Sequence, residues 1–103
     1  MIMEYRFEPL GNTLHLTLQG SMYVDDAAKL REDALASLER GACSRVEADL
    51  SRLDYIDSAG LGVLISLHKR CARKGGSLVV RGLSGNVKEL FEITRMDKVF
   101  LQG

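Results

Sequence analysis

A chain of 103 residues holds one domain, long enough to bury about 65% of its unfolded surface around a single core without staples. Its 14 basic and 14 acidic side chains cancel, and no long basic run offers a footprint to nucleic acid or to an anionic membrane. The two cysteines, Cys43 and Cys71, form no CxxC and have no histidine cluster beside them, so they read as small buried hydrophobes in a reducing compartment, not as a metal centre or disulfide framework. No apolar stretch approaches the ~20 residues that span a bilayer, and the first residues lack the apolar run of an export signal. These features describe a small cytoplasmic domain over residues 1–103.

Tyr5 and Phe7 alternate with polar residues, Gly11-Asn12 supplies a turn, and Leu14, Leu16 and Leu18 alternate with His15, Thr17 and Gln19. The pattern predicts an antiparallel hairpin ended by Gly20, with Pro9 marking its first strand as an edge. Asp25 or Asp26 caps a helix that turns Ala27, Leu30, Ala34, Leu35 and Leu38 inward, and Gly41 stands where a left-handed residue often closes a helix. Val46 to Leu50 is the next strand. Ser58 to Lys74 is the second helix, stopped by Gly75-Gly76. Leu78 to Val80 is a short apolar strand of the kind covered on both faces. Ser84 caps a third helix with Val87, Leu90 and Phe91 inward, and Val99-Phe100 is a last strand. The alternation predicts an α/β fold: a mixed, mostly parallel sheet of four to five strands, begun by an antiparallel hairpin, with helices packed on it.

The informative segment is Asp57-Ser58-Ala59-Gly60-Leu61-Gly62. Each glycine inside a helix costs about 1 kcal/mol relative to alanine, so two in its opening turns are not there for propensity. At 100° per residue Ser58 shares a polar stripe with Gly62, Ser66, Lys69, Arg70 and Arg73, while Leu61, Val63, Leu64, Ile65, Leu67, Cys71 and Ala72 fill the other faces. Ser58 is therefore exposed at a helix mouth, where negative charge is favoured. A serine there is often only an N-cap, but a cap explains neither glycine. A nucleophile elbow would need glycine where Ile56 stands, and His68 lies ten residues along the same helix, about 15 Å away by rise, too far to act as a base. Gly60-Leu61-Gly62 lacks the third glycine of a dinucleotide site, and Asp25-Asp26, preceded by an entire hairpin and lying in a helix cap, are not placed like the first-strand acidic pair of a phosphoaspartate receiver. No catalytic residue, metal site or cofactor is expected.

On the blocks Ala48-Asp49-Leu50-Ser51 and Tyr55 to Leu64, the chain resembles the STAS domains of the anti-sigma factor antagonist family. Gly75-Gly76-Ser77-Leu78, Val87 to Thr94 and Met96 to Phe100 are similar to that family's second half, so the likeness covers nearly the whole chain. It implies a non-enzymatic binding protein that an anti-sigma serine kinase phosphorylates on the residue matching Ser58. It further implies that the unphosphorylated form binds that kinase and frees a sigma factor, and that a PP2C-type phosphatase restores it. The alternative is a STAS scaffold subunit of a signalling assembly or lipid-transport complex, with Ser58 a simple cap. Two departures stand out: the family's frequent G-E-L-D is here Gly20-Ser21-Met22-Tyr23, and the residue after the phosphoacceptor, often a hydroxyl, is Ala59. Loops leaving parallel strands share one sheet edge, so Met22, Tyr23 and Val24 are expected beside Asp57, Ser58, Ala59, Gly60, Leu61 and Gly62 as one partner-binding surface. The free protein is expected to be a monomer that binds neither nucleic acid nor membrane.

Overall fold

The computed structural model describes residues 2–102, so the two ends of the expected domain, residues 1 and 103, lie outside the described residues. Strands β1 (Glu4–Leu10) and β2 (Thr13–Met22) form the hairpin, followed by α1 (Val24–Arg40), β3 (Arg45–Ile56), α2 (Ser58–Arg73), β4 (Leu78–Arg81), α3 (Gly85–Ile93), a 3₁₀ turn at Met96–Lys98 and β5 (Leu101–Gln102). The five strands lie in sequence order, β1 antiparallel to β2 and every later pair parallel. Strand β1 is an edge, as Pro9 required.

The core forms where the strand and helix periodicities meet. Leu14, Leu16 and Leu18 from β2 and Val46, Ala48 and Leu50 from β3 are buried against Leu30, Ala34 and Leu38 of α1 and Leu64, Leu67 and Cys71 of α2. Val87 and Phe91 of α3 close one side, with the Phe91 and Phe100 rings 5.9 Å apart. Cys43 and Cys71 are free and buried, and burial pushes the Cys71 thiol above its ordinary range, which keeps it protonated and inert. His68 stands at the core boundary, edge-on to Phe100 at 5.6 Å.

Several local expectations are corrected. Gly20 does not end β2: at φ +93° it kinks the strand, which continues to Met22, and Met22 is fully buried. Helix α1 begins at Val24 with Tyr23 as its N-cap residue, although Asp26 still serves the cap by accepting the Tyr23 N–H at 3.0 Å. Gly41 is right-handed, and Ala42 takes the positive φ at the end of α1; Gly41 is small because a Cβ would press on Cys43 Sγ, 3.1 Å away. Ala72 is exposed. The last strand starts at Leu101, since Phe100 N–H is held by the Met96 carbonyl and cannot enter the ladder.

Strand β3 is longer than its pattern foretold. Its pairing with β2 shifts register twice, between Thr17 and Gln19 and between Gly20 and Ser21, each time spending one extra β3 residue. The buried positions therefore run Val46, Ala48, Leu50, Leu53, Ile56, stepping by two and then by three.

Candidate functional site

Because β2 and β3 are parallel neighbours, their carboxyl ends finish together, with Met22 opposite Ile56. The residue after each strand caps a helix: Tyr23 opens α1 and Asp57 opens α2. The two helix mouths thus stand side by side, and the Tyr23 and Tyr55 rings pack across the gap at 5.2 Å. The sequence-predicted juxtaposition of the Met22–Val24 and Asp57–Gly62 segments is what the topology builds.

Within that surface the side chains have different employments. Asp57, not Ser58, is the N-cap of α2: its Oδ1 accepts the Gly60 N–H at 3.1 Å. Ser58 is the first helical residue, exposed, and its hydroxyl has no hydrogen-bond partner among the described residues. The capping explanation for Ser58 is thereby removed. Met22, Gly60 and Leu61 are buried and offer no side chain to a partner, whereas Tyr23, Val24, Ser58 and Gly62 are exposed and Asp57 and Ala59 are half-buried.

The two glycines also separate. A Cβ on Gly60 would lie 2.5 Å from Ile56 Cγ1 and 3.0 Å from Met22 Cε, so this glycine serves the packing of α2 onto the strand ends. A Cβ on Gly62 would meet nothing within 4 Å, so only this glycine leaves a clearing for another molecule. Below it, Ser66 Oγ donates to the Gly62 carbonyl at 3.0 Å and accepts from Arg31 Nε at 3.3 Å, tying α1 to α2. Thermal melts should divide the pair: Gly60→Ala is expected to lose about 1–3 kcal/mol by overpacking, while Gly62→Ala gains up to about 1 kcal/mol of helix propensity. Equal melting points would mean that Ile56 and Met22 yield without cost.

Beside Ser58 lies an open hollow of about 500 Å³, lined by Tyr55, Ile56, Asp57, Asn86, Glu89, Leu90 and Ile93. Sequence reasoning missed the α3 contribution, having assigned Leu90 simply to the core. Ile93 was the available signal, because it falls off the inward stripe of α3 and is 72% exposed. No histidine lines the hollow and the Asp57 carboxylate is engaged as a cap, which leaves Glu89 as the carboxylate of its lining without a partner among the described residues. Among the described residues no three His, Cys, Asp or Glu side chains are grouped to hold a metal ion, and no helix is long and apolar enough to cross a membrane.

A sheet begun by a hairpin, continued by parallel strands, and carrying an exposed serine at the mouth of the second sheet-packed helix defines a STAS domain. Residues 6–103 match the family model described as "Mlab, STAS domain". The chain is 35% identical over 98 residues to BtrV of Bordetella bronchiseptica, assigned to the anti-sigma factor antagonists, covering 95% of this chain and 84% of that one. It is 34% identical over 88 residues to the anti-sigma-B factor antagonist of Bacillus subtilis, covering 85% of this chain and 79% of the relative. The fold matches that of the anti-sigma factor antagonist SpoIIAA in its unphosphorylated form, with a TM-score of 0.85 at 17% identity over 97% of this chain and 88% of that one. The phosphorylated form of SpoIIAA from Bacillus matches with a TM-score of 0.76 at 16% identity, over 97% and 91% of the two chains. The chain belongs to the STAS-domain family of anti-sigma factor antagonists.

Proposed function

We propose that this protein is an anti-sigma factor antagonist whose unphosphorylated form binds a cognate anti-sigma serine kinase in the cytoplasm and so frees a sigma factor. Phosphorylation of Ser58 switches it off, and a PP2C-type phosphatase restores it. The protein itself performs no catalysis. The observation that carries this reading is the exposed Ser58 hydroxyl at the first position of α2, unbonded among the described residues, with capping delegated to Asp57. The relatives' names support the antagonist role, and SpoIIAA is known in both phosphorylated and unphosphorylated forms. The partner surface is the exposed and half-buried part of the two helix mouths: Tyr23, Val24, Asp57, Ser58, Ala59 and Gly62.

A phosphate adds about −1.5 to −2 charges at neutral pH. At the helix N-terminus it is tolerated by the fold, so the change is confined to the surface a partner must meet. Incubation with the cognate kinase and ATP is expected to add one phosphate, on Ser58 alone, read by intact mass and peptide sequencing. Label that persists in Ser58→Ala, or an acid-labile acyl phosphate on Asp57, would sink the proposal. A chain that binds partners but is never labelled would be the scaffold subunit instead.

A further inference from the structure

Strand β1 leaves one edge of the sheet open, and the turn that follows it sets the phase of that edge. Gly11 at φ +62° and Asn12 form a two-residue turn, so Leu10 and Thr13, which close it, exchange both backbone bonds. Alternation then gives the backbone groups of Glu8, Arg6 and Glu4 to β2 and turns those of Tyr5 and Phe7 outward. Pro9 falls in the outward set, where its missing N–H takes no bond from β2. No other segment among the described residues pairs with this edge. The strand is held firmly: the Tyr5 and Phe7 rings lie half-buried and 5.4 Å apart, and the Tyr5 hydroxyl donates to Asp33 of α1. On the opposite face Glu4, Arg6 and Glu8 are exposed, and their side chains have neither hydrogen bond nor ion pair among the described residues.

We propose that a second copy of this chain adds its own β1 to this edge, antiparallel about a two-fold axis at Phe7, making one continuous sheet. Glu4–Leu10 is seven residues long with Phe7 at its middle, so this is the register in which the whole strand pairs. It sets Phe7 against Phe7, Tyr5 against Pro9, and Arg6 against Glu8 of the second copy, twice over by symmetry. Phe7 exchanges bonds with its copy, and each Tyr5 N–H meets a Pro9 carbonyl. Centring the axis on Arg6 would oppose Arg6 to Arg6 and Glu4 to Glu8, like charges face to face. Centring it on Tyr5 would pair Glu4 with Arg6 but leave Phe7 and Glu8 opposite residues that precede the strand. Charge and proline usually guard an edge against such pairing. At the Phe7 register the charges attract instead, and the proline subtracts a single donor. The seam joins one strand to one strand, so the dimer is weak, with a Kd on the order of 100 µM. The monomer expected of the free protein is one side of that equilibrium. Ser58 follows β3, two strands in from the edge, so the pairing leaves it open in both copies.

Sedimentation equilibrium of the unphosphorylated chain, from about 10 µM to about 1 mM, is expected to show the mean mass rising from one chain toward two. Amide exchange at Phe7 should slow over the same range, because its N–H enters the seam. Arg6→Glu and Glu8→Arg each turn both attractive pairs repulsive and should weaken pairing about tenfold or more. Mixed in equal amounts, the two variants are complementary and should pair again at close to the wild-type affinity. Both positions are exposed and make no side-chain bond among the described residues, so the fold should hold, and recovery in the mixture excludes misfolding. A mass of one chain throughout, a dimer that neither variant weakens, or variants that stay apart when mixed would each overturn the proposal. No arm of this experiment uses a kinase or alters Ser58, so it and the phosphorylation proposal can fail separately.

Discussion

Titration of the proposed anti-sigma kinase partner with matched samples is expected to show affinity falling by roughly two to three orders of magnitude on phosphorylation of Ser58. A phosphate carried into an interface loses its water, and without a cation from the partner it stays buried and unpaired, at about 3–5 kcal/mol. The hydroxyl that would carry it is unbonded, and Gly62, one turn along, has open space above it, so a partner pressed onto this face leaves little room for three more oxygens. The Asp57 carboxylate beside it adds repulsion. Melting temperature should barely move, because Ser58 is exposed and the helix dipole contributes about 0.3–1 kcal/mol in the phosphate's favour. Equal affinities, or tighter binding by the phosphorylated form, would reverse the proposed direction of the switch. A large fall in melting temperature would assign the loss of binding to unfolding.

The largest stability effect is expected at Gly76→Ala, far from the site. A Cβ on Gly76 would fall 1.7 Å from the Ser44 carbonyl oxygen and 2.5 Å from its carbon. Neither atom can swing aside: Ser44 N–H is held by Asn12, through its carbonyl and its side chain, and Val46 N–H by the Ser77 carbonyl. Relief requires β3 and β4 to part at their paired ends. We expect a loss of about 3–5 kcal/mol, a large share of the ~5–15 kcal/mol typical of such a domain. The melting temperature should then drop by at least ~12 °C. Gly75→Ala, which faces open space at φ +79°, should cost only about 1–2 kcal/mol. A Gly76→Ala protein melting within a few degrees of wild type would show that the start of β3 is not held as described.

What could be read from the sequence followed from periodicity. Alternation in Leu14–Leu18 and the helical stripes of α1 and α2 showed which faces turn inward and that Ser58 is exposed. The succession of strands and helices showed a mixed, mostly parallel sheet, but the order of its strands came only with the structure. Positions set by pairing between distant segments were not legible. Asp57 and Ser58 are both good caps, and only where β3 leaves its pairing with β2 decides which one caps. Gly20 looked like a terminator, yet its left-handed φ is a kink inside a strand that continues, and so Met22 became core. Gly60 and Gly62 are chemically identical in the sequence. The side chains of Ile56 and Met22, brought in by tertiary packing, make one a spacing device and leave the other open. The hollow formed with α3 needed the third helix in place before Ile93 had a meaning.

The two extra residues that β3 spends against β2 make the aim of the proposed switch a matter of counting. Each bulge reverses the side of the sheet to which the following residues point. Exchanging one residue type for another at the exposed positions Ser51, Arg52 or Asp54 leaves that tally unchanged. Removing a single residue there resets it, placing Leu53 or Ile56 in water and swinging Tyr55, Asp57 and Ser58 away from the mouth of α1. Drift within this stretch is therefore free to change chemistry but not length, and it is the length of the stretch that carries the address of Ser58.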